Sequence, residues 1–261
     1  KRMLDSLKAL KKESFDKYKD FWNEYGLVLK EGPAEDRENK DTIASLLLFA
    51  STYANSKDCD QTLDDYLERM SDDQDKIYFC VADTYEAAAN SPHIEGLKSK
   101  GIEVLLLTDR IDEWVMAGLM EYQGKELINV AKEDIVDEET KKVSEGDQEI
   151  ISKIQKHLGD KVSDVIISKR LTDSASCIVL PKHEPGAQLR KILEASGQTL
   201  GSSNPIFEIN MKHKLVKKLK DMKGKQFNSF VDFLYDYAVI AEGGSPQDPS
   251  KYLRQLDKYL S

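Results

Sequence analysis

Residues 91–114, Ser91-Pro-His-Ile-Glu-Gly-Leu-Lys-Ser-Lys-Gly-Ile-Glu-Val-Leu-Leu-Leu-Thr-Asp-Arg-Ile-Asp-Glu-Trp114, decide the fold. They read as a short helix, a stop at Gly101, a strand through Glu103–Leu107 and a capped helix start that carries a Trp in its first turn. Upstream lies a second apolar run, Ile77-Tyr-Phe-Cys-Val-Ala82, with an Ala-rich helical stretch between the two. Two short apolar runs separated by helix predict a βαβ unit, because parallel strands need a crossover connection. The uninterrupted run Val104–Leu107, with Ile102 nearby, suits a strand covered on both faces.

Working outward, residues 1–25 predict a helix whose apolar stripe includes Met3, Leu4, Leu7, Leu10, Phe15, Tyr18 and Phe21-Trp22. Gly26 is expected to break it, and Gly32-Pro33 to close the following loop. A second helix is expected over about 37–54 from Ile43, Leu46, Leu47 and Ala50. Thr62 with Asp65 forms a capping-box pattern ahead of a short helix at 63–70. A helix from Asp112 to about Met120 and a strand-like tail at 125–130 complete a first domain, 1–130. The stretch 131–147 is charge-rich and core-poor, which reads as a linker. A second domain, 148–261, opens with a helix at 148–158. Strands at 165–171 and 176–180 read as an antiparallel hairpin around Thr172-Asp-Ser174. A short amphipathic helix at 185–196, ended by Gly197, a strand at 206–209, and helices at 212–222, 226–242 and 249–260 follow. Asp248 and Pro249 fit the cap and first position of the last helix.

Composition sets outer limits. A chain of 261 residues exceeds one typical domain, so two are expected. A net charge of −9 argues against nucleic acid, whose phosphates demand a basic face. No apolar run approaches a membrane span. The opening Lys-Arg-Met-Leu is in a helical pattern and predicts no secretory leader. It starts mid-helix without an initiator Met, like a piece of a longer protein. Cys59, Cys80 and Cys177 are far apart and lack a CxxC pair, so neither a zinc site nor a disulfide framework is expected, and a reducing compartment fits.

Chemistry-bearing motifs are few. Asp109, Asp112 and Glu113 could serve as paired carboxylates of a small hydrolase, yet acidic residues are also expected at a helix start. His93, His157, His183 and His213 show no ligand spacing, and no phosphate loop or nucleophile elbow occurs. No catalytic or metal-binding residue is predicted. The helix at 226–242 is apolar nearly all round, wider than one core-facing stripe requires. With the helix at 249–260 it is either a hairpin folded on its own domain or half of a two-fold four-helix bundle.

The 91–114 stretch, Gly26-Leu-Val-Leu-Lys-Glu-Gly-Pro-Ala-Glu-Asp36 and Arg170-Leu-Thr-Asp173 closely resemble the heat shock protein 90 chaperone family, most of all its bacterial high-temperature protein G branch. The resemblance extends along essentially the whole chain. It implies the C-terminal part of the family's middle domain, a small αβα subdomain, followed by its α+β dimerisation domain. It also implies a homodimer joined by a four-helix bundle, with Phe230, Leu234, Tyr237 and Ala238 of one helix and Tyr252, Leu253, Leu256, Tyr259 and Leu260 of the next at the interface. Client contact is implied for Glu113 and Trp114, and for Leu189, Ile192 and Leu193 of an amphipathic helix facing the cleft between protomers. This chain has Ala117 where the bacterial pattern has Asn, and Pro185 where it has Met. The family's ATP and magnesium site belongs to an N-terminal domain, so no cofactor and no enzymatic activity are expected of this segment. A cytoplasmic bacterial chaperone acting on partly unfolded proteins is the implied function. A carboxylate-dependent hydrolase and a passive dimerisation scaffold are the alternatives.

Overall fold

The computed structural model describes residues 2–132, 144–181, 184–186, 189–190, 193, 196–197 and 204–260. The chain forms two compact units, Lys1–Ala89 with Lys100–Asn129, and Asn90–Ser99 with Val130–Ser261. Most of the predicted linker, residues 133–143, lies outside the described residues.

In the first unit, α1 (Arg2–Glu13) and α2 (Phe15–Glu35) lead into α3 (Lys40–Ala44) and the antiparallel strands β1 (Phe49–Ser51) and β2 (Ser56–Gln61). Then come α4 (Leu63–Arg69), β3 (Lys76–Val81) and α5 (Tyr85–Ala89). The crossover continues through α6 (Glu95–Ser99), which groups with the second unit, and returns as β4 (Val104–Leu107). Helix α7 (Asp112–Gly118) and strands β5 (Glu121–Tyr122) and β6 (Lys125–Asn129) close the unit. The six strands run in the order β2-β1-β4-β3-β6-β5. The predicted βαβ unit is present: β3 pairs in parallel with β4, Phe79 opposite Leu105, and in parallel with β6 on its other side. All four residues of β4 are buried, as a strand covered on both faces requires. The Thr62–Asp65 capping box also forms.

Two expectations fail here. Helix α2 runs through Gly26 and Pro33 instead of breaking. The bare Cα of Gly26 lets the Trp22 indole lie against the helix, where an added Cβ would come within 2.8 Å of the ring. The second correction is larger: no helix spans 37–54. Only Lys40–Ala44 is α-helical, and Phe49–Ser51 is an inner strand between β2 and β4. Leu46, Leu47 and Leu48 are each fully buried, so the run from Leu46 to Ala50 is a continuous apolar stretch of the kind whose period cannot separate helix from strand. Asn55, at positive φ, turns the chain back into β2, a backbone region Asn tolerates.

The second unit holds a 3₁₀ turn at Pro92–Ile94, α6, α8 (Glu145–Leu158), and strands β7 (Asp164–Ile167), β8 (Ser176–Val179) and β9 (Ile206–Ile209). Helices α9 (Lys214–Lys217), α10 (Gly224–Ala241) and α11 (Pro249–Leu260) follow. The expected hairpin of β7 with β8 does not form. Strand β9 lies between them, parallel to β7 and antiparallel to β8. The residues between β7 and β8 are not a tight turn, because their backbone is committed elsewhere. Glu95 of α6 accepts hydrogen bonds from the amides of Thr172, Asp173 and Ser174 at 2.7–3.1 Å. Arg170, buried, donates to the Val130 carbonyl at 2.6 Å and pairs with buried Glu208 at 3.0 Å. The expected helix at 212–222 is α-helical only over α9, then tightens to a 3₁₀ turn at Lys218–Asp221. Cys80 and Cys177 are buried and Cys59 is half-buried, and none of the three is in a disulfide. Among the described residues no helix is long and apolar enough to cross a membrane.

Candidate functional site

Helix α7 is built around a buried ion cluster. Lys30, projecting from α2, donates to Asp109 and to Asp112, each at 2.6 Å, and Asp112 also accepts from the Asp109 amide at 2.9 Å. Lys30 and Asp112 have almost no exposure. Burial works to lower the Lys30 ammonium's pKa, but Asp112 and Asp109 outweigh it, leaving it above the usual lysine value. Burial raises Asp112, against the opposing pull of Lys30. Gly118, at the other end of α7, lies against Ala34 of α2, so the helix is fixed at both ends.

That anchorage determines which α7 side chains face outward. Val115 and Met116 are buried and Glu113 is only 6% exposed, whereas Trp114 is 38% exposed. Ala117 and Met120 are exposed as well, at successive three-residue intervals from Trp114. Of the predicted pair, Trp114 is therefore presented and Glu113 is not. Met120, 66% exposed, is the surface residue that the sequence reading missed. Met120 lies beyond the end of α7 at Gly118, where helical spacing no longer assigns a face.

The same cluster engages two of the three carboxylates of the hydrolase alternative. Asp112 has no exposure and shares one ammonium with Asp109. Among the described residues no group of His, Cys, Asp and Glu could hold a metal ion. His93 and His157 are engaged with Glu242 and Asp232 at 2.6 and 2.9 Å, and His213 accepts from the Leu215 amide. His183 lies outside the described residues.

In the amphipathic stretch 185–196, Leu189 and Leu193 are half-buried, and Ile192 lies outside the described residues. A helical turn is visible where the Arg190 amide donates to the Gly186 carbonyl at 2.9 Å. The Arg190 guanidinium pairs with Glu184 at 2.7 Å.

The terminal helices form a hairpin held by aromatic contacts. Phe233 stacks on Tyr252 with ring centres 5.3 Å apart, and Phe230 meets the Tyr259 ring edge-on at 4.7 Å. The Gln255 amide donates to the Ser229 carbonyl and hydroxyl at 2.8 and 2.9 Å. Asp232 links three helices by accepting from His157 of α8 and Lys251 of α11. Asp248 caps α11 through the Lys251 amide, as its position suggests. The nine predicted interface residues divide by burial. Phe230, Leu234 and Ala238 are fully covered within this unit, so they form a floor rather than a surface that a second chain could touch. Tyr237, Tyr252, Leu256 and Tyr259 are half-buried and Leu253 is 58% exposed; the Leu260 side chain lies outside what is described. Ile240, 41% exposed, is a further apolar surface residue on α10.

Comparison with known proteins agrees with the sequence resemblance. The family described as "Hsp90 protein" matches residues 1–261. "Chaperone protein HtpG" of Colwellia psychrerythraea is 44% identical over 270 residues, covering 100% of this chain and 41% of its own. The proteins of that name from Salmonella typhimurium and Shewanella halifaxensis are also 44% identical, with 43% and 42% of their lengths covered. This chain thus spans about two fifths of the length of the curated relatives it matches. With the family matched from end to end, the chain belongs to the Hsp90 family.

Proposed function

We propose that this chain is the dimerisation and client-binding segment of an ATP-dependent molecular chaperone. In this reading, residues 1–130 are the later part of the middle domain, 131–147 the linker and 148–261 the dimerisation domain. The observation that carries it is the exposure of apolar side chains on elements that are otherwise firmly packed: Trp114 and Met120 beside α7, Ile240 and Leu253 on the terminal hairpin. Partly unfolded proteins offer apolar surface without fixed shape, and exposed aromatic and Met side chains suit such partners. Two hairpins pairing about a two-fold axis would complete a four-helix bundle in which Leu253 and the half-buried Tyr237, Tyr252, Leu256 and Tyr259 meet their copies. The dimer would then present two copies of each weak apolar site, Trp114 and the Leu189–Ile192–Leu193 face, at high effective concentration. In this reading ATP binding and hydrolysis belong to parts of the whole chaperone outside this segment, which itself uses no cofactor.

Sedimentation of the chain at micromolar concentration tests the pairing. A dimer is expected, and a stable monomer would overturn it. Trp114→Ala combined with Leu193→Ser then tests client contact: the double variant is expected to remain dimeric and to suppress aggregation of an unfolded protein less well. Unchanged suppression would leave only a passive dimerisation scaffold.

A further inference from the structure

Residues 212–225, Lys212-His-Lys-Leu-Val-Lys-Lys-Leu-Lys-Asp-Met-Lys-Gly-Lys225, carry seven lysines and a single acidic residue, Asp221, in a chain whose net charge is −9. The run covers α9, the 3₁₀ turn after it and the start of α10. Buried Val216 and Leu219, with half-buried Leu215 and Met222, pin it to the core of the second unit. All seven lysines are exposed. Among the described residues only Lys220 of the seven is in an ion pair, with Asp147 of α8 at 3.2 Å. The neighbouring carboxylates leave most of this charge unbalanced. Glu95 and Asp173 act on His213, but Glu95 is committed to Ser174 and three amides. In the first turns of α8 beside Asp147, Glu149 is paired with Lys153, which leaves Glu145 and the exposed Asp221. An excess of one sign of charge on a firmly anchored surface attracts the opposite sign. The start of α10 adds to it. Its N-cap residue, Lys223, has no acceptor to offer the first-turn amides, and that turn holds no acidic residue. The positive end of an 18-residue helix therefore lies within the same run.

The chemistry of the run narrows the anion. It contains no arginine for bidentate phosphate contact and no aromatic residue on which a base could stack. Its larger apolar side chains are buried or half-buried, so none is free to enter a lipid layer. The Lys220–Asp147 pair shows a carboxylate already seated on it. We infer that residues 212–225 form a docking surface for an extended acidic segment of a partner protein. The Asp and Glu carboxylates of that segment lie along the lysines, one of them at the amides that open α10. This surface is separate from the apolar sites proposed for clients.

The test is fluorescence anisotropy of a short labelled peptide of alternating Asp and Glu, titrated with the 261-residue chain at physiological ionic strength. There the Debye length is about 8 Å, so charges remote from the peptide are largely screened. Lys217→Glu, Lys218→Glu and Lys223→Glu combined should weaken binding about tenfold or more, because each reversal replaces an attraction with a repulsion. Lys12→Glu, Lys17→Glu and Lys57→Glu make the same charge change on exposed lysines of the first unit and should weaken it less than about twofold. Changing Lys217, Lys218 and Lys223 to Gln instead should give a smaller loss in the same direction, and keeps the test open should the charge reversal disturb folding. Raising the salt to about 1 M, where the Debye length is about 3 Å, should abolish binding by the parent. Equal weakening by the two sets of reversals, or no binding of the peptide at all, would overturn the proposal. Tighter binding of a single-stranded oligonucleotide of equal charge, or of phosphatidylserine vesicles, would overturn it too, because the surface would then belong to a different class of partner.

Discussion

The Glu95 carboxylate and the Ser174 hydroxyl meet at 2.5 Å, and the same carboxylate accepts from the amides of Thr172, Asp173 and Ser174. Two of the three sequence stretches that mark the family, 91–114 and 170–173, are therefore in direct contact. Gly96 completes the junction, because an added Cβ would lie 2.8 Å from the Arg170 carbonyl oxygen. Burial alone would raise the Glu95 pKa, but the Ser174 hydroxyl and the three amides outweigh it and hold it below the usual carboxylate value. A depressed folded-state pKa gives stability that is present above the unfolded value and lost as pH falls through the folded one. Glu95→Gln should cost roughly 2 kcal/mol at neutral pH, as expected for losing charged hydrogen bonds. The gap from the parent should close as pH falls below the carboxylate range. Thermal melts across that range check this, and a gap independent of pH would contradict it.

Lys30→Met should be among the most damaging single changes, costing about 3–5 kcal/mol, because it strands the Asp112 charge in the core. Adding Asp112→Asn should recover much of that loss in a double-mutant cycle followed by urea denaturation. The raised Lys30 pKa means that its contribution persists below the unfolded lysine value and is lost only as pH rises through the folded one. Alkaline melts should therefore separate the parent from Lys30→Met, with their stabilities converging at high pH.

Gly26→Ala sets two effects against each other. Helix propensity favours Ala by about 1 kcal/mol, while overpacking against a buried ring costs about 1–3 kcal/mol. The Trp22 indole is rigid, 7% exposed and 2.8 Å from the added Cβ, so overpacking should win. A lower melting temperature with altered Trp fluorescence is the expected outcome.

Leu253→Asp changes a residue that is 58% exposed, so the folded unit should keep its helical circular dichroism. If the hairpin pairs with a second copy, sedimentation should show dissociation. Trp114→Ala should leave stability within about 0.5 kcal/mol, since the side chain is a surface one. Its effect should appear only in suppression of client aggregation.

Much of this structure was legible in the sequence. The parallel β3–β4 pair, the Thr62 capping box, the Asp248 cap and the long apolar α10 all follow from local pattern, because each rests on residue spacing or on a side chain bonding to its own neighbours. The tertiary structure decided the rest. That Phe49–Ser51 is strand and not helix depended on β2 and β4 being present to pair with it, and Gly26 stayed helical with Trp22 filling the space above it. Strand β9 separated β7 from β8 through pairings between residues far apart in sequence. Glu113 was buried while Trp114 was presented, because the Lys30–Asp112 pair fixes the rotation of α7. Periodicity reports what a segment can become, whereas the energy that chooses among those forms comes from partners distant along the chain.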